Sequence, residues 1–207
     1  MNNINRHQKL LAIMKKMSQE RKKQAKQIDI LCNDMIGAQR DFIKRLKTIN
    51  FRADFYESII GTTDLHCLFS TASAIIKEET NGANVTFFLR HSDSFEIYNE
   101  NQGNIAESQH IENGFSQELM TNICISNKIC NIDDMFAMGL QGNLTCLNTV
   151  SAVTIPLGSA GSVQGFMLIY RSSEKTLDGE EIRKISAIAS GLSHAIYSCK
   201  ALTHSSD

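Results

Sequence analysis

Residues 150–170 read Val-Ser-Ala-Val-Thr-Ile-Pro-Leu-Gly-Ser-Ala-Gly-Ser-Val-Gln-Gly-Phe-Met-Leu-Ile-Tyr. β-Branched and aromatic residues fill both halves, and Gly158-Ser159-Ala160-Gly161 separates them. The stretch therefore predicts two strands, Ser151–Leu157 and Val163–Tyr170, joined by a glycine turn. On the C-terminal side, Asp178 and Glu181 have the spacing of a capping box. They open a helix whose apolar positions are Ile182, Ile185, Ala189, Leu192, Ile196 and Cys199.

On the N-terminal side, Lys128–Ile132 reads as a strand and Ser116–Asn122 as a short helix. Gln102–Asn113 is polar and reads as a loop. Asp133–Asn148 mixes Met135, Phe136, Met138, Leu140 and Leu144 with Gly139 and Gly142. It is too broken for a long helix and too apolar for open solvent, and is expected to lie over a cavity. Further back, Val85–Leu89 and Phe95–Tyr98 predict two strands linked by the polar Arg90–Ser94. Before them comes a helix with the apolar face Leu65, Leu68, Phe69, Ala72, Ile75 and Ile76. Thr63 or Asp64 caps it and Asn81-Gly82 ends it. Helices at both ends of an antiparallel sheet define an α+β fold.

The first 50 residues are different in kind. They hold 12 Lys and Arg against four Asp and Glu, leaving nine basic and 18 acidic residues for the remainder. The net charge of −1 hides this division. Met14, Met17, Arg21, Gln24, Ile28, Leu31, Met35, Ala38, Phe42, Arg45 and Ile49 recur at alternating steps of three and four. Eight of these eleven are apolar. Such a seam needs a partner helix. A helix over residues 5–50 would be on the order of 65 Å long, so self-association is the simplest way to cover it. The expected organisation is residues 1–50 as a coiled-coil helix and residues 51–207 as the α+β domain. The basic clusters Lys15-Lys16 and Arg21-Lys22-Lys23 have no interleaved aromatics. They read as a solvated coiled-coil face, and nucleic acid is not expected as a partner.

Apolar residues make up 42% of the 207, enough for one core, and a single Pro excludes Pro-rich linker classes. The six Cys are scattered and form no C-x-x-C pair, as expected of reduced thiols in a cytoplasmic protein. No signal peptide is visible, and no apolar run approaches the roughly 18 residues of a membrane span. No membrane association is expected.

The order of these elements resembles a GAF domain over about residues 51–202. The marks are the Ile155-Pro156-Leu157 step, the glycine turn, and Gly165 before Phe166-Met167-Leu168-Ile169. Gly114 before the short helix, Ile132-Asp133-Asp134, and Leu177-Asp178 before Glu181 complete the set. The resemblance implies an antiparallel sheet with flanking helices and a small-molecule pocket on one face. It also implies terminal helices that pair as a parallel dimer and carry a signal. The seams at 14–49 and 182–199 suit that role. The ligand is left unknown. The Asn-Lys pattern of cyclic-nucleotide binders is missing from Tyr170–Asp178, and the Cys-His pair of bilin binders is absent, since His66-Cys67 is reversed.

The candidate ligand-binding residues are Phe88, Tyr98, Phe136, Met138, Cys146, Thr149, Ser151 and Thr154, apolar walls with a few hydroxyls. No metal site is expected, because no His pair has helical ligand spacing. Cys124, Cys130 and Cys146 match the places where GAF-type free methionine sulfoxide reductases carry theirs. The surrounding Gly-Val-Cys-Gly pattern is replaced by Gly114-Phe115-Ser116-Gln117, and buried structural Cys is the expectation, not an enzyme. Three functions stay open: a dimeric sensory module with a small ligand and a signalling partner protein, a ligand-free dimerisation scaffold, and the thiol enzyme. No kinase, cyclase or helix-turn-helix segment is recognisable, so output is expected through a partner.

Overall fold

Along a strand, neighbouring side chains point to opposite faces, and the strand Ser162–Ser172 is apolar on both. Phe166, Leu168 and Tyr170 go one way and Met167 and Ile169 the other, all buried. In the computed structural model, which describes residues 2–92, 94–99, 111, 114–141, 149–159 and 162–204, this strand sits at the middle of the sheet. The chain divides into two compact units, Met1–Lys47 and Thr48–Asp207.

The first unit is helix. Helix α1 covers Asn2–Ile59 without a break. Its apolar seam is bare: Met14, Met17, Ile28, Leu31, Met35 and Phe42 are all exposed, Leu31 and Met35 each to 66%.

The second unit takes the last turns of α1, then α2 (Leu65–Glu79), β1 (Asn84–His91), β2 (Ser94–Asn99), α3 (Gln117–Ser126), β3 (Cys130–Asn131) and α4 (Ile132–Ala137). Then come β4 (Val150–Ser159), β5 (Ser162–Ser172), a single 3-10 turn at Ser173–Lys175, and α5 (Gly179–His204). The five described strands form an antiparallel sheet in the order β2-β1-β5-β4-β3. The caps follow the local chemistry. Asp64 accepts from the Cys67 amide at 2.8 Å and starts α2. Asp178 accepts from the Glu181 amide at 2.7 Å while Glu181 accepts from the Asp178 amide at 2.9 Å. That reciprocal box opens α5, and the amide donated by Glu181 lowers the Asp178 carboxyl below its usual range.

One sheet face is covered by α2, α5 and the end of α1. Val85, Phe87, Leu89, Val153, Ile155 and Met167 meet Leu68, Phe69 and Ile76 of α2, Ile185, Leu192 and Ile196 of α5, and Phe55 and Ile59 of α1. This corrects the expectation that the 182–199 seam is open to a second copy. Ile185, Ala189, Leu192, Ile196 and Cys199 are buried in their own domain, and Ile182 packs against the same cluster. The sheet is the partner of that seam. α1 and α5 also touch. A Cβ on Gly191 would lie 2.1 Å from the Tyr56 ring, and the Tyr56 hydroxyl donates to the Ala187 carbonyl at 3.3 Å.

Two further departures are local. The strand expected over Lys128–Ile132 shrinks to Cys130–Asn131. Asn131 accepts from the Asp134 amide and Asp134 accepts from the Asn131 amide, so a capping box turns the chain into α4 at once. Arg171, at the end of β5, binds Glu181 through both terminal nitrogens (3.0 and 2.6 Å). It also donates to the Thr80 carbonyl at the end of α2 (2.5 Å) and to the Thr176 carbonyl (2.6 Å). Lys184 pairs with Glu79 alongside. The glycine that the sheet cannot replace is Gly165. Its φ is 155°, and a Cβ there would lie 2.0 Å from the Phe88 carbonyl oxygen.

Two outcomes are expected. Gly165→Ala should lower the unfolding free energy by at least the roughly 1–3 kcal/mol typical of overpacking; a denaturation midpoint equal to wild type would show that β1 and β5 are not this close. Deleting residues 1–45 should leave a cooperative thermal transition, because the sheet, both of its apolar layers and the last turns of α1 lie beyond the cut. A non-cooperative melt would place part of the core in the deleted helix.

Candidate functional site

The second sheet face carries Phe88 of β1, Ala152 and Thr154 of β4, and Phe166, Leu168 and Tyr170 of β5. Helices α3 and α4 cover it with Leu119, Met120, Ile123, Cys124 and Met135. At its centre four phenylalanines pack together. Phe88 stacks on Phe166 with centroids 4.7 Å apart and planes at 13°. Phe115 lies 5.2 Å from Phe88 and 6.0 Å from Phe166. Phe95 lies 6.3 Å from Phe166. Offset stacks of this kind add to the burial energy.

The structure brings four of the candidate residues to this face. Phe88 and Thr154 are buried in it, and Phe136 and Met138 pack half-buried against it. The Thr154 hydroxyl donates to the Cys130 carbonyl at 3.4 Å. The Met138 carbonyl accepts from the Asn122 side chain at 3.3 Å. Strand alternation places two other candidates on the opposite face. Tyr98 stands beside Phe69, 4.7 Å between centroids, with its hydroxyl donating to Glu96 at 2.9 Å. Burial, then that carboxylate, pushes its phenol up to about 12. Ser151 shares the face of Val153 and Ile155, and its hydroxyl accepts from the Leu177 amide at 3.1 Å. Thr149 is exposed, and its carbonyl accepts from the Ser173 amide at 2.7 Å. Cys146 lies outside the described residues.

The sequence reasoning missed Phe95, Phe115 and Phe166. The signal for Phe166 was available: it sits at even spacing with Leu168 and Tyr170, and pairs across the strands with Phe88. Nothing in the local sequence marks Phe115 as its neighbour, because α3 brings it there.

Two buried thiols, Cys124 and Cys130, lie on this face. Burial pushes Cys124 up to about 11 from 9.0, partly offset by the Arg90 charge. Cys130 donates to the Lys128 carbonyl at 3.3 Å and lies 3.6 Å from the Ser126 hydroxyl. A thiol raised this far is neutral near pH 7, whereas a nucleophile needs its thiolate. Among the described residues no group of three His, Cys, Asp or Glu could hold a metal ion, and no helix is long and apolar enough to cross a membrane.

A central antiparallel sheet with α2 and α5 on one face and α3 and α4 on the other is the GAF fold. The GAF domain of a phosphoenolpyruvate-protein phosphotransferase from Coxiella burnetii is similar over 77% of this chain and 98% of that one, with a TM-score of 0.58 at 12% identity. The GAF domain of the corresponding Acinetobacter protein covers 74% and 94%, with a TM-score of 0.54 at 10% identity. The cyanobacteriochrome TePixJ GAF domain covers 69% and 94%, with a TM-score of 0.53 at 18% identity. No protein-family model and no curated protein matches the sequence. The likeness is one of fold, and it agrees with the GAF resemblance of residues 51–202.

The raised Cys124 thiol has a consequence for stability against pH. A group whose folded pKa exceeds its unfolded one stabilises the fold below the unfolded value and loses that contribution as pH rises through the folded value. The stability gap between wild type and Cys124→Ala should therefore shrink as pH rises from 9.0 towards about 11. Parallel unfolding curves over that range would show that Cys124 is not held neutral by burial.

Proposed function

We propose that the chain is a cytoplasmic sensory or regulatory GAF module that works as a homodimer. Two copies pair in parallel along α1. A small ligand or a partner acting at the Phe88–Phe166 face changes how α3 and α4 sit. The change reaches α1 through the sheet and through the Tyr56–Gly191 contact, and output passes to a signalling partner protein. The observation that carries this reading is the bare α1 seam. Met14, Met17, Ile28, Leu31, Met35 and Phe42 are exposed in the single chain. Burying large apolar side chains of this kind stabilises by roughly 1.5–3 kcal/mol each.

The same face supports a second reading, a dimerisation scaffold that holds no ligand. Three stacked phenylalanines, Phe88, Phe115 and Phe166, with Phe95 tilted against them, occupy the centre of the layer between the sheet and α3. Native mass spectrometry of the purified protein separates the two: a bound small molecule supports the sensor, and its consistent absence supports the scaffold. We read the chain as non-enzymatic. The neutral Cys124 weighs against a thiol reductase, and free methionine sulfoxide turnover that disappears in Cys146→Ser would reverse that reading.

The dimer is tested by light scattering at micromolar concentration. Wild type should give twice the chain mass, and Leu31→Glu with Met35→Glu should give the monomer while keeping the domain's thermal transition. A monomeric wild type would remove the basis of the reading.

A further inference from the structure

Between Ile28 and Ile49 helix α1 carries apolar residues outside its seam as well as on it. Ile36 and Ile43 are not seam positions, and they are 44% and 45% exposed. Arg40 follows Ile36 by four residues and Lys47 follows Ile43 by four, and both are exposed. At 3.6 residues per turn these four side chains share a stripe about 60° wide and about 16 Å long. Its centre lies roughly 130° round the helix from the seam of Ile28, Leu31, Met35 and Phe42. Pairing along the seam therefore leaves the stripe open.

The stripe alternates apolar and cationic side chains. Isoleucine is among the residues most often fully buried, and a face meant only for water has no use for two of them between charges. Ion pairs along a helix join residues three or four apart. No Asp or Glu stands at those distances from Arg40 or Lys47, and Asp34 and Asp41 lie beyond the other side of the seam. Apolar anchors one helical repeat apart are how an amphipathic helix is held, and the cations between them select carboxylates on it. A second copy of the stripe is a poor occupant, because cation would meet cation. A lipid surface is a poor one too, since no Trp or Tyr precedes Tyr56 to anchor α1 in it. On a nucleic acid the phosphates would leave the two isoleucines without a partner.

We propose that the Ile36–Arg40–Ile43–Lys47 stripe docks an acidic amphipathic helix of the partner protein. Apolar side chains of that helix pack on Ile36 and Ile43, and its carboxylates pair with Arg40 and Lys47. The proposal deepens the signalling reading by naming the chemistry of its partner, and rests on that reading for the partner alone. The stripe is exposed in the single chain and does not need the dimer.

The test is fluorescence anisotropy of the full chain with a labelled synthetic peptide of about 22 residues, long enough to be helical. It is built on Ala and Gln, with Leu and Glu alternating at steps of four and three. It should bind saturably with a dissociation constant of about 1 mM or tighter, and more weakly as salt is raised. The same peptide with Lys in place of Glu should bind about tenfold more weakly or worse. Arg40→Glu with Lys47→Glu should reverse that preference, and Ile36→Gln with Ile43→Gln should weaken both peptides. Each double variant should keep the wild-type mass in light scattering, which separates the stripe from the seam. Should a variant lose that mass, amide shifts in the wild-type protein serve instead, and the Glu peptide should perturb residues 36–47 most. A monomeric wild type that binds the Glu peptide with this preference would remove the dimer and support the dock. No saturable binding of the Glu peptide, equal binding of the Lys peptide, an unreversed preference, or shifts centred elsewhere would each overturn the proposal. So would a DNA duplex or a phosphatidylserine vesicle that binds more tightly than the Glu peptide at the same salt.

Discussion

The approach of β1 to β5 at Gly165 constrains everything around it. The backbone of Phe88 comes so close that no side chain fits, and this contact sets the register in which Phe88 faces Phe166 and Phe87 faces Met167. From that register the two apolar layers follow. Odd positions of β1 and β5 meet α2 and α5, and even positions meet α3 and α4. A one-residue slip would exchange the layers. The slip does occur once, one strand further on, where Gln164 bulges just beyond the last β1–β5 pair.

The opposite end of the sheet is held by polar bonds. Arg171 closes the end of α2, the turn after β5 and the start of α5 with one planar guanidinium. Its side chain and that of Glu181 are both about nine-tenths buried. A buried charge is tolerable only when its donors are met, and here carbonyls meet what the carboxylate does not. Glu181 does double duty, since it also accepts from the Asp178 amide. The α5 cap and the Arg171 pair are therefore one network, and helix α5 cannot tilt at its start without breaking both.

Much of this was legible in the sequence. The strands at 150–170, a cap at Thr63 or Asp64, the cap at Asp178, and the GAF order came from short-range signals whose physics is local: alternation, turn glycines, and side-chain oxygens three residues from an amide. The site was less legible because it depends on which face a strand shows. Tyr98 and Ser151 are chemically suitable for a pocket, yet each is one residue out of phase with Phe88 and Thr154. Phe115 was hidden for another reason. It reaches Phe88 only because α3 folds across the sheet, and no residue near it in the chain records that.

The two heptad seams show the same limit at the scale of helices. Residues 14–49 and 182–199 both repeat at 3.5-residue steps, and the pattern alone treats them alike. It states that a stripe must be covered and says nothing of what covers it. For 182–199 the cover is the sheet: β4 and β5 present Val153, Ile155, Met167 and Ile169 to Ile185, Leu192 and Ile196. For 14–49, Leu31 and Met35 are two-thirds exposed among the described residues. A seam that interrupts itself with Arg21, Gln24 and Arg45 is also a poor fit to a sheet, which would strand those polar groups in a dry layer. Two helices packed along a seam leave long side chains free to reach water at its edge. The polar interruptions thus distinguish the exposed 14–49 seam from the 182–199 seam, which packs on the core.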